Sequence, residues 1–185
     1  MQVSKEQLIE LLKRDLELEY TAALQYIQHY SVMQGAQYDN IRQHLLTHSE
    51  EEIGHAVKIS DRINYMGGTP GAAADAVKVA PEAMQMLAQD LEGEQTAISR
   101  YKERISQAQA IGEYGLVEVL QSILVDEEEH ENDLKTSMAV ATSPVAAPVA
   151  STQAVDSPLV NPAYVPDVMA KLASLMAKRR AGEVV

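Results

Sequence analysis

The chain contains no cysteine, no tryptophan and no phenylalanine among its 185 residues. Without cysteine it can form no disulfide, thiolate zinc site, iron–sulfur cluster or rubredoxin-type centre. Glycine is sparse and nowhere builds a phosphate-cradling loop. Positive charge is also short: 15 Lys and Arg stand against 27 Asp and Glu, a net charge of −12. That balance argues against nucleic acid or an anionic membrane as the main partner and suits attraction of cations. No apolar run is long enough to span a bilayer, and Met1-Gln2-Val3-Ser4-Lys5-Glu6 lacks the apolar core of a signal peptide. A cytoplasmic protein is the expectation.

What the chain does have favours helices. Hydrophobic residues make up 46%, and Ala, Leu, Gln and Glu are abundant. The length fits one domain with a real core plus an appendage. In the stretch Asp126-Glu127-Glu128-Glu129-His130, Glu127 and His130 are spaced to share one side of a helix. That side also carries Leu116, Leu120, Ile123, Leu134 and Met138, so both polar groups point into a core. Burying a carboxylate and an imidazole there costs several kcal/mol (~2–7 per group) unless something compensates.

The pattern occurs twice. Glu52-Ile53-Gly54-His55 sits on the stripe Ile41, Leu45, Ala56, Ile59, Ile63, and the shift that carries Glu52 onto Glu127 carries His55 onto His130. The same shift takes Asp15-Leu16-Glu17-Leu18-Glu19 onto Asp90-Leu91-Glu92-Gly93-Glu94, and Tyr26 onto Tyr101. Each half reads as a helical hairpin with one Glu on its first helix and Glu-x-x-His on its second. Glu19, Glu52, His55, Glu94, Glu127 and His130 form the ligand set of a two-metal carboxylate site in a four-helix bundle. Carboxylates with one imidazole per metal suit iron or manganese better than zinc or copper. Glu52 and Glu127 are the expected bridges, with Glu19 and His55 on one metal and Glu94 and His130 on the other.

Supporting groups follow the same shift. Glu51 aligns with Asp126, and each is placed to accept the second N–H of the histidine in the opposite hairpin, or else to lie on an acidic surface. Tyr26 and Tyr101 share the face of Glu19 and Glu94, where a phenol can bond a carboxylate, donate an electron or simply fill space. His48 has Ile123 as its counterpart and breaks the symmetry. It is expected to be a satisfied core histidine, with a satellite metal ligand as the alternative.

Ser4 and Gln7 form a capping box that starts the first helix near Lys5. Gly35 is the expected C-cap, Asp39 the N-cap of the second helix, and Gly67-Gly68 its stop. Pro81 is placed in the first turn of the third helix, and Gly112 separates third from fourth. Residues 67–80 can extend roughly 40 Å at ~3.3 Å per residue, the length of the helices themselves at ~1.5 Å per residue. A long crossover then leaves the second and third helices parallel.

Residues 4–140 resemble the ferritin-like superfamily, and Glu19-Tyr20-Thr21-Ala22-Ala23-Leu24-Gln25-Tyr26 with the six ligands is most similar to bacterioferritin. The resemblance implies an all-α ferritin-like four-helix bundle holding two irons, oxidation of Fe(II) by O2 or peroxide, iron storage or detoxification, and a homo-oligomer. Bacterioferritins carry a haem-ligating Met directly after the second-helix glutamate; here Ile53 stands there, and no haem is expected. The Tyr26/Tyr101 pair resembles rubrerythrin, whose extra glutamate would fall at Ala97. It implies the alternative of a di-iron oxidase or peroxide reductase without mineral.

The domain reading is a bundle over 1–141, a linker over 142–163 and an amphipathic helix over 164–185. The linker holds four of the seven prolines among Ala, Val, Ser and Thr. Val168, Met169, Leu172, Leu175 and Met176 follow helical spacing ahead of Lys178-Arg179-Arg180. A short apolar helix on a long tether reads as a docking element. The tethered tail resembles the targeting peptides of cargo ferritins in encapsulin shells, which implies a protein partner or residence inside a shell.

Overall fold

The computed structural model describes residues 3–142; the linker and terminal helix expected beyond them lie outside the described residues. The elements are α1 (Lys5–Val32), a 3-10 turn (Ala36–Tyr38), α2 (Asp39–Tyr65), α3 (Ala83–Ala110) and α4 (Tyr114–Thr142). Among the described residues there is no strand, as the four helical patterns require.

Helix α1 starts where the sequence places it. The Gln7 N–H donates to Ser4 Oγ and the Ser4 N–H donates to Gln7 Oε1, closing the capping box. Other boundaries shift by one or two residues. Helix α1 ends at Val32 with Met33 as its cap, and Gly35, at φ 114°, opens the 3-10 turn instead. Asp39 is the first residue of α2 rather than its N-cap, where its carboxylate still meets the positive end of the helix dipole. Pro81 precedes the N-cap Glu82 of α3 and is not in the first turn. Helix α2 stops as expected: Gly67 takes φ 91° and the Gly68 N–H returns to the Ile63 carbonyl. A Cβ on Gly68 would stand 2.6 Å from Ile9 Cγ2, so the chain leaves α2 tight against α1.

Two apolar clusters occupy the ends of the bundle. One gathers Leu8, Leu12 and Leu16 of α1, Ile59 and Ile63 of α2, Ala108 of α3, and Leu116 and Leu120 of α4. The other gathers Met33, Ile41, Leu45, Met86, Leu87 and Leu134. The start of α1 and the end of α2 therefore share an end with the end of α3 and the start of α4. Both hairpins are antiparallel, α2 and α3 run the same way, and residues 67–82 cross the full length. Between the clusters lies a buried polar layer.

The crossover is fastened to α1. Arg14 grips Asp75 with both terminal nitrogens, the Asp75 N–H donates to Thr21 Oγ1, and the Lys78 N–H donates to Gln25 Oε1. At its end, His29 Nε2 donates to the Lys78 carbonyl while Nδ1 meets Asp90 at 2.8 Å.

Candidate metal centre

Each helix contributes to the polar layer through residues that continue its apolar stripe. Glu19 on α1, Glu52 and His55 on α2, Glu94 on α3, and Glu127 and His130 on α4 are all buried. One ligand atom each from Glu19, Glu52, His55 and Glu127 lies within 4.8 Å of the others; so does one each from Glu52, Glu94, Glu127 and His130. Glu52 and Glu127 belong to both groups. His55 Nδ1 stands 3.4 Å from Glu19, 3.3 Å from Glu52 and 3.3 Å from Glu127. His130 Nδ1 stands 3.3 Å from Glu52, 3.8 Å from Glu94 and 3.9 Å from Glu127.

The far side of each imidazole is held by the opposite hairpin. His55 Nε2 donates to Asp126 at 3.0 Å and His130 Nε2 donates to Glu51 at 2.9 Å. These bonds fix the rings with Nδ1 inward. The phenols cross over too: the Tyr26 hydroxyl donates to Glu94 and the Tyr101 hydroxyl to Glu19. The six expected ligands and these four neighbours thus converge at one level.

The electrostatics of this layer are those of a cavity made for cations. Burial first, then the neighbouring Glu52 charge, push Glu19 up to about 8. Burial and the surrounding Glu52 and Glu94 charges drive Glu127 far above the ordinary carboxylate range. Burial also penalises ionised Glu52, but the His130 and His55 imidazoles beside it outweigh that and hold the carboxyl low. For His130, burial disfavours the charged ring, and the bond to Glu51 together with the nearby Glu52 and Glu94 carboxylates overcomes it, raising it to about 12. His55 is raised likewise through Glu127, Glu19 and Glu52. Without cations, protons balance the carboxylates. Even so, Glu19 Oε2, Glu52 Oε1, Glu94 Oε2, Glu127 Oε1 and His130 Nδ1 are buried without a hydrogen-bond partner. Orphaned buried acceptors are costly, and here they face one another. The donor set therefore fits two divalent cations.

Two buried pairs flank the layer, and both went unnoticed in the sequence. Arg104 on α3 donates to Asp15 on α1 at 2.8 Å, with Arg100 3.8 Å from the other Asp15 oxygen. His29 on α1 meets Asp90 on α3. The repeat relates these pairs, Asp15 to Asp90 and His29 to Arg104; the two paired carboxylates in the repeat were the available signal. His48, expected to be satisfied, is buried with Nδ1 unpartnered. It stacks on His130 at 4.0 Å between ring centroids, and burial followed by the His130 charge pushes it down to about 4. Ala97 is buried, and Ile53 is half-exposed on the outside of α2.

A cavity of about 240 Å³ reaches Glu19, Glu52, Glu94 and Glu127 between α1, α3 and the crossover. A second cleft, about 380 Å³, opens between α2 and α4 over His130. Among the described residues no helix is long and apolar enough to cross a membrane.

The chain matches the ferritin-like domain family over residues 9–140. It is 30% identical to a bacterioferritin of Brucella melitensis over 131 residues, covering 70% of this chain and 81% of that one. Among solved structures it resembles a ferritin-like, diiron-carboxylate protein from Bacillus anthracis at 29% identity and TM-score 0.70, covering 75% of this chain and 99% of that one. It also resembles Rhodobacter capsulatus bacterioferritin, described with a metal-free dinuclear site and haem iron, at 28% identity and TM-score 0.68, over 76% and 88% of the two chains.

Proposed function

The chain belongs to the ferritin family, and from that premise we propose that it binds two iron ions per bundle and oxidises Fe(II) with O2 or peroxide, in iron storage or detoxification. The observation that supports this most is the ring of buried carboxylate oxygens without partners, framed by two inward-facing imidazole nitrogens. Glu52 and Glu127 are the bridging ligands in this reading, with Glu19 and His55 on one side and Glu94 and His130 on the other. Iron is the substrate here, each Fe(II) giving up one electron to the oxidant.

The residues of the chain do the rest. Asp126 and Glu51 hold the proton on each Nε2, leaving Nδ1 to ligate. Tyr101 and Tyr26 fix the carboxylates of Glu19 and Glu94 in one orientation. The cavity between α1 and α3 admits the oxidant. The oxygen-rich set also suits manganese. Ile53 offers no ligating atom for haem; a Soret band at one haem per two chains from haem-replete cells would refute its absence.

Self-association fits the outer surface of the first hairpin. Leu24 and Ile27 on α1, and Ile53 and Val57 on α2, are half-exposed apolar side chains on the sides turned from the second hairpin. The Tyr–Glu bonds also suit the second reading, a di-iron oxidase or peroxide reductase without mineral. Docking through the tail is a further proposal, resting on the sequence alone. Iron retained per chain after aerobic Fe(II) loading separates the first two readings: tens or more for storage, about two for an oxidase. Glu94→Ala tests the centre itself. It is expected to abolish rapid Fe(II) oxidation with helical content near the parent, and oxidation at the parental rate would refute the assignment.

A further inference from the structure

We infer that the two metal positions of the centre are unequal: Arg100, aided by Lys58, makes the Glu19/His55 position the weaker, so divalent cations fill the Glu94/His130 position first. This inequality presupposes the dinuclear centre proposed above and adds residues that tune it without ligating.

The ligands, the phenols and the carboxylates behind the imidazoles repeat between the hairpins, but the charges around them do not. The shift that carries Glu19 onto Glu94 carries Gln25 onto Arg100 and Lys58 onto Asp133. Arg100 Nη2 stands 3.7 Å from Glu19 Oε1, and its Nε stands 3.8 Å from Asp15. In the other half that place belongs to the neutral amide of Gln25, whose Nε2 donates to Asp90 at 2.9 Å. Lys58 Nζ lies 3.6 Å from Asp126, the carboxylate that accepts from His55. Its counterpart Asp133 lies on the other half, against His48, which stacks on His130. Arg100 against Gln25 adds one positive charge and Lys58 against Asp133 adds two, so the Glu19/His55 half is more positive by three. Arg104 and its counterpart His29 do not alter this balance, since each is answered by a buried carboxylate, Asp15 or Asp90.

Arg100 acts through its charge rather than through a bond. Its side chain is 18% exposed and its Nε is buried without a hydrogen-bond partner, so water screens it poorly. The guanidinium lies 5.7 Å from the centre of the Tyr101 ring, whose hydroxyl donates to Glu19, and it lines the α1–α3 cavity. A cation held there repels a divalent ion and competes with it for the Glu19 carboxylate; Gln25 does neither to Glu94. Even with Asp15 offsetting part of it, a charge this close weakens binding of a divalent ion by about 10-fold.

The test is anaerobic Co(II) titration of the full chain by calorimetry, which reads binding without oxidation. The parent should bind in two steps. Arg100→Gln, which installs the residue of the other hairpin, should tighten the second step about 10-fold and leave the first unchanged. Lys58→Gln should shift the same step by less, because Lys58 is more exposed. Two ions in identical positions also bind stepwise, because they repel each other, so variants with one position each identify the halves. His55→Ala should keep the tighter step and His130→Ala the weaker, and Arg100→Gln should tighten only the latter. Steps that Arg100→Gln and Lys58→Gln leave unmoved, or equal affinities in His55→Ala and His130→Ala, would overturn the inequality while the dinuclear reading stands. A parent that binds no Co(II) would overturn that reading itself. Circular dichroism checks that the variants remain helical; Lys58 is partly exposed, so its substitution leaves the core intact and still decides the matter if Arg100→Gln unfolds.

Discussion

At the residue scale, Asp126 and Glu51 decide how well the imidazoles are poised. Asp126→Asn or Glu51→Gln removes the acceptor that holds His55 or His130 with Nδ1 inward. Metal affinity should fall about 10–100-fold in each without loss of helix, measured by competition with a chelating dye; unchanged affinity would remove the positioning role. The protons that balance the centre also predict a pH dependence. A group whose folded pKa lies above its unfolded one adds stability below the unfolded value and loses it as pH climbs toward the folded one. For His130 that decline begins near 6.5, and for Glu19 it runs from 4.5 to about 8. The metal-free protein should therefore lose stability between about pH 5 and about pH 8, its Tm falling by on the order of 5 °C. Added metal, which replaces the protons, should remove that slope. Calorimetry with and without chelator checks this, and a metal-free Tm that rises across the window contradicts it. The six proposed ligands and the four residues beside them were legible because polar residues on or next to the apolar stripes repeat with one constant shift. His29 and Arg104 were not, because the shift pairs a histidine with an arginine and so leaves no identity to notice. His48 could be placed in the core by spacing, but not its unsatisfied nitrogen, which depends on what α4 brings beside it.

At the scale of elements, the crossed pairs Asp15–Arg104 and Asp90–His29 tie α1 to α3, the helices that flank the open cavity. His29 also binds the Lys78 carbonyl, so it locks the crossover to the same seam. Removing one partner of a buried pair leaves an uncompensated charge and costs about 3–5 kcal/mol. Arg104→Ala and His29→Ala should each lose that much in urea unfolding. His29→Ala alone should also hasten proteolysis within residues 67–82, where the carbonyl anchor is lost. Equal cleavage rates in the two variants would show that the crossover is held elsewhere. Helix existence and direction followed from periodicity and from a connection long enough to cross the bundle. The boundaries at Gly35, Asp39 and Pro81 moved by a residue or two, since glycine, aspartate and proline suit several neighbouring positions at a helix end.

At the scale of the molecule, the bundle is two copies of one hairpin facing each other, each orienting the other's ligands. The polar layer is tolerable because the apolar clusters at either end hold the four helices while cations, or protons in their place, balance the charge. A chain ending at Thr142 contains every residue of that arrangement, so it should retain helicity and metal stoichiometry. Loss of soluble fold on truncation would mean that residues 143–185 belong to the core. The central claim is that four carboxylates and two imidazoles form a centre where Fe(II) is oxidised in pairs. Glu127 tests it most directly because it belongs to both ligand groups. In stopped-flow mixing with O2 or peroxide, the fast phase of Fe(III) absorbance should saturate at about two Fe(II) per chain and be absent from Glu127→Ala. A fast phase of equal rate and amplitude in that variant would contradict the account.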